Sequence, residues 1–169
     1  MSNHDPSPQS LITALGLQPH PEGGYYREVF RSSLQVSFKG AARSAGTSIY
    51  YLLAQGAYSA WHRIDADEVW CFHAGGVLNL HVLLPDGDWL THHLGDPLRH
   101  PGAVYQAVAP AGCWFAAELA SPDDFVLTAC QVAPGFEFSG FQMASQADLA
   151  DAIARHGDGV RRLLVKGAQ

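Results

Sequence analysis

The chain has 169 residues, a net charge of −6 at neutral pH and only 15% charged residues. This length favours a single domain, here residues 1–169, with one core. No Lys/Arg cluster occurs, so we expect no nucleic-acid partner. The sequence has no apolar run of transmembrane length and no recognisable secretory signal, so we expect a cytoplasmic protein with no membrane partner.

The cysteines also indicate a reducing compartment. They are Cys71, Cys113 and Cys130, which lie far apart in apolar settings. An odd number without short spacings predicts three buried thiols rather than a disulfide frame or a zinc cluster.

The N-terminus is predicted to be a loose tail over residues 1–6 followed by a short helix over about residues 7–17. Ser7 is a favourable N-cap, and Pro8 suits the first helical position because its missing N–H has no helical partner there. Gly16 supplies the stop signal.

Residues 23–143 are predicted to form a β-barrel of many short strands. Their strand segments are rich in aromatic and β-branched residues, and most are separated by glycine-containing breaks. The predicted strands are Tyr25–Arg31, Thr47–Ala54, Tyr58–Arg63, Glu68–His73, Val77–Leu84, Val104–Ala109, Cys113–Leu119, Phe125–Ala133 and Phe138–Met143. So many short strands are typical of a sandwich, jelly roll or barrel.

The C-terminus changes to a helical pattern over residues 145–166. Ser145 and Asp148 form a capping-box pattern that predicts a helix start. The helical period continues to Gly157, and a second short helix is predicted over residues 160–165. The predicted fold class is therefore all-β with short N-terminal and C-terminal helices.

The segment from Gly56 to Gly75 carries the clearest chemical signal. It resembles the first motif of the cupin superfamily, G-x5-H-x-H-x3-E-x6-G, with every spacing kept. His62 and Glu68 match that motif, but Ile64 stands at its second histidine. A first-row metal usually needs three or four protein ligands, so this change bears directly on metal binding.

The second cupin motif, G-x5-P-x-G-x2-H-x3-N, is only partly present. Its P-x-G core matches residues 110–112, while Phe115 stands at its histidine and Leu119 at its asparagine. Because neither Ile64 nor Phe115 can coordinate a metal, we expect no cofactor and a metal-free cavity. The alternative is a divalent metal held by a different set of side chains: His62, Glu68 and His73.

Six blocks in order along the chain carry a closer resemblance, to the cupin-5 family, a domain of unknown function. They are His20–Glu28, Thr47–Leu53, Trp61–Trp70, Phe72–Gly75, Val108–Trp114 and Val132–Phe138. The resemblance implies a cupin jelly-roll barrel, or double-stranded β-helix, in a homodimer. It also implies similarity to metal-independent sugar epimerases of the cupin class, which act on nucleotide-linked 4-keto sugars.

The leading hypothesis is a small-molecule-binding cupin with a metal-independent pocket like that of an isomerase or epimerase. His62 would act as general base and Glu68 would orient it, which suits proton abstraction next to a carbonyl. A purely structural His62–Glu68 pair is the alternative, but buried ionic pairs stabilise proteins poorly, which favours a functional role. The ligand would be a small molecule such as a sugar or sugar nucleotide.

Further residues are candidates for ligand binding. Arg27 could hold a carboxylate or phosphate through two parallel hydrogen bonds, or form a salt bridge with Glu22 or Glu28 instead. The remaining candidates are three aromatic side chains and one strand-end histidine: Tyr51, Trp70, Phe138 and His73. Most aromatic residues of a small barrel belong to the core, so each could be structural.

Two other functions stay open. One is a metal-dependent cupin enzyme that uses His62, Glu68 and another histidine. The other is a non-catalytic ligand-binding or structural dimer, because a fold alone does not determine function.

Overall fold

The computed structural model describes residues 7–165, and β-strands dominate it. The strands are β1 Gln18–Pro19, β2 Tyr25–Arg31, β3 Gln35–Phe38, β4 Ala41–Ser44, β5 Thr47–Ala54, β6 Tyr58–Arg63, β7 Asp67–Gly75, β8 Leu78–Leu83, β9 Trp89–Leu94, β10 Gln106–Ala109, β11 Trp114–Leu119, β12 Phe125–Ala133 and β13 Gln142–Met143. The helices are α1 Pro8–Leu15, α2 Ala150–His156 and α3 Asp158–Arg161, with a 3-10 turn at Phe138–Gly140. The predicted tail, residues 1–6, and residue 166 lie outside the described residues.

Eleven of the strands form two large antiparallel sheets that pack face to face, and β3 and β4 pair with each other in a separate two-stranded sheet. The six-stranded sheet has the order β1-β2-β5-β12-β7-β10, and the five-stranded sheet has the order β13-β6-β11-β8-β9. Buried side chains from both sheets share one core, for example Tyr51 and Trp70 from the first and Leu80 and Phe115 from the second. This arrangement confirms the predicted all-β jelly roll with short terminal helices.

Local capping signals determine where α1 begins and ends. The Ser7 hydroxyl accepts from the Ser10 backbone N–H, and the Ser10 hydroxyl donates to the Ser7 carbonyl. Pro8 occupies the first helical position, and Gly16 ends the helix with a left-handed φ of 62°. A residue without a side chain adopts that conformation at little cost.

The C-terminal helices cover the outer face of the five-stranded sheet. Trp61 is fully buried there, and its indole N–H donates to the Val160 carbonyl at 2.9 Å. Arg162 pairs with Glu118, which in turn contacts His81 at 3.0 Å. No helix within residues 7–165 is long and apolar enough to cross a membrane.

Several element boundaries differ from the sequence predictions. Strands β1, β3, β4 and β9 were not predicted, because they are short or, in β9, carry polar residues such as His92 and His93. The segment predicted as strand Phe138–Met143 contains the 3-10 turn and only the short β13. The second C-terminal helix begins at Asp158 rather than at residue 160.

The turn between β1 and β2, residues 20–24, joins the two sheets at one end. The His20 N–H donates to the Gly24 carbonyl at 3.0 Å, and the Ala60 N–H of β6 donates to the Glu22 carbonyl at 2.8 Å. Gly23 has a φ of 111°, and a Cβ there would collide with the Tyr58 carbonyl. A residue without a side chain is therefore needed for the turn to approach β6 closely enough to bury Glu22.

A β-bulge in β2 determines which of its side chains face inward. Glu28 pairs with Ile49, but the register then shifts, so Arg31 pairs with Thr47. One extra residue in a bulged strand reverses the alternation of faces beyond it. Arg31 therefore lies on the same inner side as Glu28.

We predict that Gly23→Ala costs at least about 3 kcal/mol of unfolding free energy, because steric collision adds to left-handed backbone strain. Gly40→Ala is the matched control. Gly40 also has a left-handed φ, of 82°, but an added Cβ would meet nothing within 4 Å. Its cost should be only about 1 kcal/mol. Urea unfolding of both variants measures the difference, and equal costs would contradict the close-approach argument.

Candidate functional site

A cavity of about 140 Å³ lies beside the residue 20–24 turn, where this turn of the six-stranded sheet contacts β6 of the five-stranded sheet. An engineered protein cavity of about 150 Å³ holds benzene, so this volume accepts one ring-sized group. The lining combines histidines, carboxyl groups and aromatic rings with aliphatic side chains.

His62 is buried in the wall contributed by β6, and both of its ring nitrogens are engaged. Nδ1 lies 2.7 Å from the Ala60 carbonyl oxygen, which can only accept, so Nδ1 carries a proton. Nε2 lies 3.0 Å from Glu22 Oε2. Burial lowers the pKa of His62 to about 4, so the ring is neutral near pH 7 and Nε2 is then an acceptor.

Glu22 is the carboxyl partner of His62. Its Oε1 accepts from the Ser59 hydroxyl at 2.8 Å, while Oε2 faces His62 Nε2. Burial raises the pKa of Glu22, which favours the protonated acid. A neutral imidazole acceptor and a neutral carboxyl donor fit this contact, so the pair holds one shared proton between Oε2 and Nε2.

His20 begins the same turn, and its side chain hydrogen-bonds to the turn backbone. The Glu22 backbone N–H donates to His20 Nδ1 at 3.2 Å, so neutral His20 carries its proton on Nε2. Its ring packs edge-on against Tyr26 at 4.5 Å between centroids. Burial lowers the pKa of His20, against an opposing effect of Glu22.

Glu68 projects from β7 into the same cavity and is buried. Burial, with a smaller contribution from the nearby Glu22 carboxyl, raises the pKa of Glu68 to about 8, against the opposite effect of a hydrogen bond from the Cys130 thiol. Glu68 is therefore largely protonated near pH 7, where it can donate a proton.

The expectation that Glu68 orients His62 is wrong, because Glu22 occupies that position. His62 and Glu68 lie on consecutive strands, but β6 belongs to the five-stranded sheet and β7 to the six-stranded sheet. The two side chains therefore face one cavity from different sheets, and the residue 20–24 turn places Glu22 against the imidazole.

Two of the predicted ligand residues line the cavity. Tyr51 is fully buried, and its hydroxyl donates to the Gly23 carbonyl at 2.6 Å. Phe138 lies at the rim and is 54% exposed. Both rings lie near His20, with centroid distances of 5.9 Å to Tyr51 and 6.5 Å to Phe138.

The other three predicted ligand residues lie elsewhere. Arg27 is exposed on the outer face of β2, where it donates to the Leu15 carbonyl of α1 at 3.0 Å. Trp70 faces inward but packs deeper in the core, 5.4 Å from the Tyr51 ring. His73 is exposed on the outer face of β7 beside Tyr50, because alternation from Glu68 directs it outward.

Arg31 takes the place at the cavity that Arg27 was expected to occupy. Its guanidinium binds Glu28 through two hydrogen bonds of 2.9 Å and Glu137 through one of 2.8 Å. The bulge in β2 directs Arg31 inward, and no pattern in the sequence signals that bulge. His20 and Glu22 were also missed as site residues, although they open the first of the six blocks that carry the family resemblance.

The alternative metal set of His62, Glu68 and His73 is not assembled, because His73 lies on the outer face. Among residues 7–165, no group of three His, Cys, Asp or Glu side chains is arranged to hold a metal ion. Phe115, at the histidine position of the second cupin motif, instead packs its ring 4.1 Å from that of His62. The residues present therefore do not fit a cupin metal centre.

We predict that Glu68 makes the protein less stable as pH rises from 6.5 to about 8. In this range the native state holds the Glu68 proton, whereas the unfolded chain, with an ordinary glutamate pKa of 4.5, has already released it. His62 has the opposite effect, because its lowered native-state pKa makes the protein more stable as pH rises. That effect is confined to pH values below its ordinary pKa of 6.5. Relative to Glu68→Gln, the wild type should lose about 1 kcal/mol of unfolding free energy per pH unit.

Urea unfolding at a series of pH values measures this difference. The matched control is Asp123→Asn, which removes an exposed carboxylate outside the cavity. The wild type and that control should show the same pH dependence. Parallel curves for the wild type and Glu68→Gln would show that Glu68 ionises normally.

Comparison with known proteins agrees with this fold. The family model described as "Cupin superfamily (DUF985)" matches residues 9–144. A hypothetical protein from Leishmania major is 32% identical with a TM-score of 0.86, and the match covers 94% of this chain and 99% of that chain. A protein from Shewanella oneidensis is 37% identical with a TM-score of 0.85, and the match covers 95% of this chain and 98% of that chain.

A more distant likeness supports the fold alone. Oxalate decarboxylase from Bacillus subtilis is 13% identical with a TM-score of 0.54, and the match covers 89% of this chain and 37% of that chain. A comparison with curated proteins yields no match. The family match spans most of the sequence, and the two structures of similar length share the whole jelly roll. The chain therefore belongs to the cupin-5 family of the cupin superfamily (DUF985).

Proposed function

We propose that the cavity binds a ring-sized small molecule and catalyses proton transfer beside its carbonyl group, as an isomerase or epimerase does. The observation that carries this proposal is the presence of two separate proton-holding groups in one apolar cavity. One is the His62–Glu22 pair with its shared proton, and the other is Glu68. Buried titratable groups with shifted pKa values are typical of acid–base catalytic sites.

The two groups have complementary roles in the proposed reaction. The Glu22 carboxyl takes a proton from the carbon beside the carbonyl while the shared proton moves onto His62 Nε2. Glu68 donates its proton to the carbonyl oxygen, which gives an enol. In the second half of the reaction the enol proton returns to Glu68, and Glu22 gives its proton to a different carbon or to the other face of the same carbon. The proton on His62 Nε2 then moves back to Glu22, which restores the starting groups. No atoms are gained or lost, and no cofactor is needed.

His62 acts behind Glu22 in this scheme rather than directly on the substrate. Its Nδ1 donates to Ala60 and its Nε2 faces Glu22, so neither nitrogen has a lone pair directed at the cavity. The imidazole is a proton reservoir that adjusts the basicity of the carboxyl. Glu22 thereby replaces His62 as the group expected to touch the substrate.

The cavity volume limits the substrate. About 140 Å³ accepts one ring, so in a sugar nucleotide only the sugar would fit inside. Any further part of the molecule would lie outside the rim formed by Phe138 and Arg31. The expected homodimer remains a prediction.

A non-catalytic ligand-binding protein is the second candidate. The observation that favours it is that both nitrogens of His62 are satisfied within the protein, as in a structural histidine. In that case the cavity would bind the same class of molecule and leave it unchanged.

Exchange of carbon-bound hydrogen with solvent tests the proposal. The untagged protein is incubated in D₂O with ring-sized carbonyl compounds, and deuterium incorporation beside the carbonyl is followed by NMR. We expect catalysed exchange that falls at least about 100-fold in Glu68→Gln and in Glu22→Gln, because general acid–base groups contribute about 10²–10⁴ in rate.

The control Asp123→Asn should retain full exchange, since it lies outside the cavity. Binding of a compound without any protein-catalysed exchange would favour the non-catalytic candidate. Exchange that survives both glutamine substitutions would contradict the assigned roles.

A further inference from the structure

Carboxyl groups are concentrated around the cavity. Four of the five glutamates in the chain line it: Glu22, Glu28, Glu68 and Glu137. Arg31 is the one Lys or Arg among the described lining residues. An anionic ligand would therefore depend on Arg31 for a favourable charge.

The guanidinium of Arg31 is already occupied. Nε and Nη2 donate to the two carboxylate oxygens of Glu28, Nη1 donates to Glu137, and Nη2 also donates to the Phe136 carbonyl at 2.9 Å. A guanidinium has five N–H donors, so these four bonds leave little capacity for a ligand. The two carboxylates also outnumber the single cation, which makes this cluster net negative.

A dissolved anion competes poorly for Arg31. Glu28 lies three residues away on the same strand, and Glu137 lies on the segment that carries the rim residue Phe138. Groups held beside their partner have a high effective concentration compared with a free ligand. A displaced carboxylate would also remain close to the incoming anion and repel it.

The deeper part of the cavity also suits an uncharged ligand. Glu68 has no salt-bridge partner among residues 7–165, and a buried carboxyl without a partner favours its neutral form. The adjoining wall consists of aromatic rings, with Phe138 and Phe141 5.9 Å apart between centroids and Phe136 5.0 Å from Phe138. Neutral donors beside aromatic faces can bind hydroxyl and carbonyl groups and an apolar ring.

From these contacts we infer that Glu28 and Glu137 are specificity-determining residues that neutralise Arg31, so that the cavity selects an uncharged ring-sized substrate over its carboxylate or phosphate analogue. This inference names the substrate class and rests on the proposal that the cavity is the ligand site. Arg27 was expected to bind an anion. The arginine at the cavity is instead Arg31, and its two carboxylate partners keep it from binding anions.

Binding of a matched pair of probes tests the inference. The probes are 4-oxocyclohexane-1-carboxamide and 4-oxocyclohexane-1-carboxylate, which have nearly the same shape and differ in charge. By calorimetry, the wild type should bind the amide at least about tenfold more tightly than the carboxylate, because one unpaired charged hydrogen bond costs that much.

The double variant Glu28→Gln/Glu137→Gln frees Arg31 and should reverse the preference, with the carboxylate bound at least about tenfold more tightly than in the wild type. Adding Arg31→Gln should abolish that gain. The control Asp123→Asn/Asp151→Asn removes the same charge from exposed positions and should keep the wild-type preference. Circular dichroism of each variant checks that the fold is intact.

Three results would overturn the inference. They are failure of the wild type to bind the amide, equal or tighter binding of the carboxylate by the wild type, and an unchanged preference in a folded double variant. This test measures binding, whereas the test of the proposed function measures hydrogen exchange, so the two can fail independently. Catalysed exchange with a carboxylate preference would retain the proposed function and reject this substrate class.

Discussion

The contact between Glu22 and His62 is the interaction on which the rest of the site depends. It joins a turn that leads into the six-stranded sheet to β6 of the five-stranded sheet, across 3.0 Å. Both groups are buried, so desolvation disfavours their charged forms and the contact is best satisfied by one shared proton. The same contact orients the imidazole, occupies its Nε2 and places a carboxyl group at the cavity.

That contact is possible only because the backbone of the turn can approach β6. Gly23 removes the side chain that would otherwise strike the Tyr58 carbonyl, and the Ala60 N–H then holds the Glu22 carbonyl at 2.8 Å. The glycine pair in the His20–Glu28 block is therefore a requirement of the site as well as of the turn. The backbone constraint at Gly23 and the carboxyl group proposed to transfer a proton, Glu22, are thus adjacent in the sequence.

Burial divides the titratable groups of the cavity into two classes. The deep groups, Glu22, His62 and Glu68, are driven toward their neutral forms because water is excluded. At the rim, Arg31 and its two carboxylates are half exposed and form ion pairs. The apolar residues Ile64 and Phe115, which stand where other cupins have metal ligands, contribute to this exclusion of water. Neither side chain can coordinate a metal, which agrees with the proposal that the cavity supports proton transfer.

The sequence alone determined the fold family and part of the site. Glycine breaks, strand composition and motif spacing are local properties, so they predicted most long strands and placed His62 and Glu68 in one cavity. Only the tertiary structure decided that Glu22, rather than Glu68, partners His62, because strand neighbours in a jelly roll are distant in sequence. It also decided that Arg31 faces the cavity and Arg27 does not, since one bulged residue in β2 reverses the alternation of faces, and it placed Trp70 and His73 outside the lining.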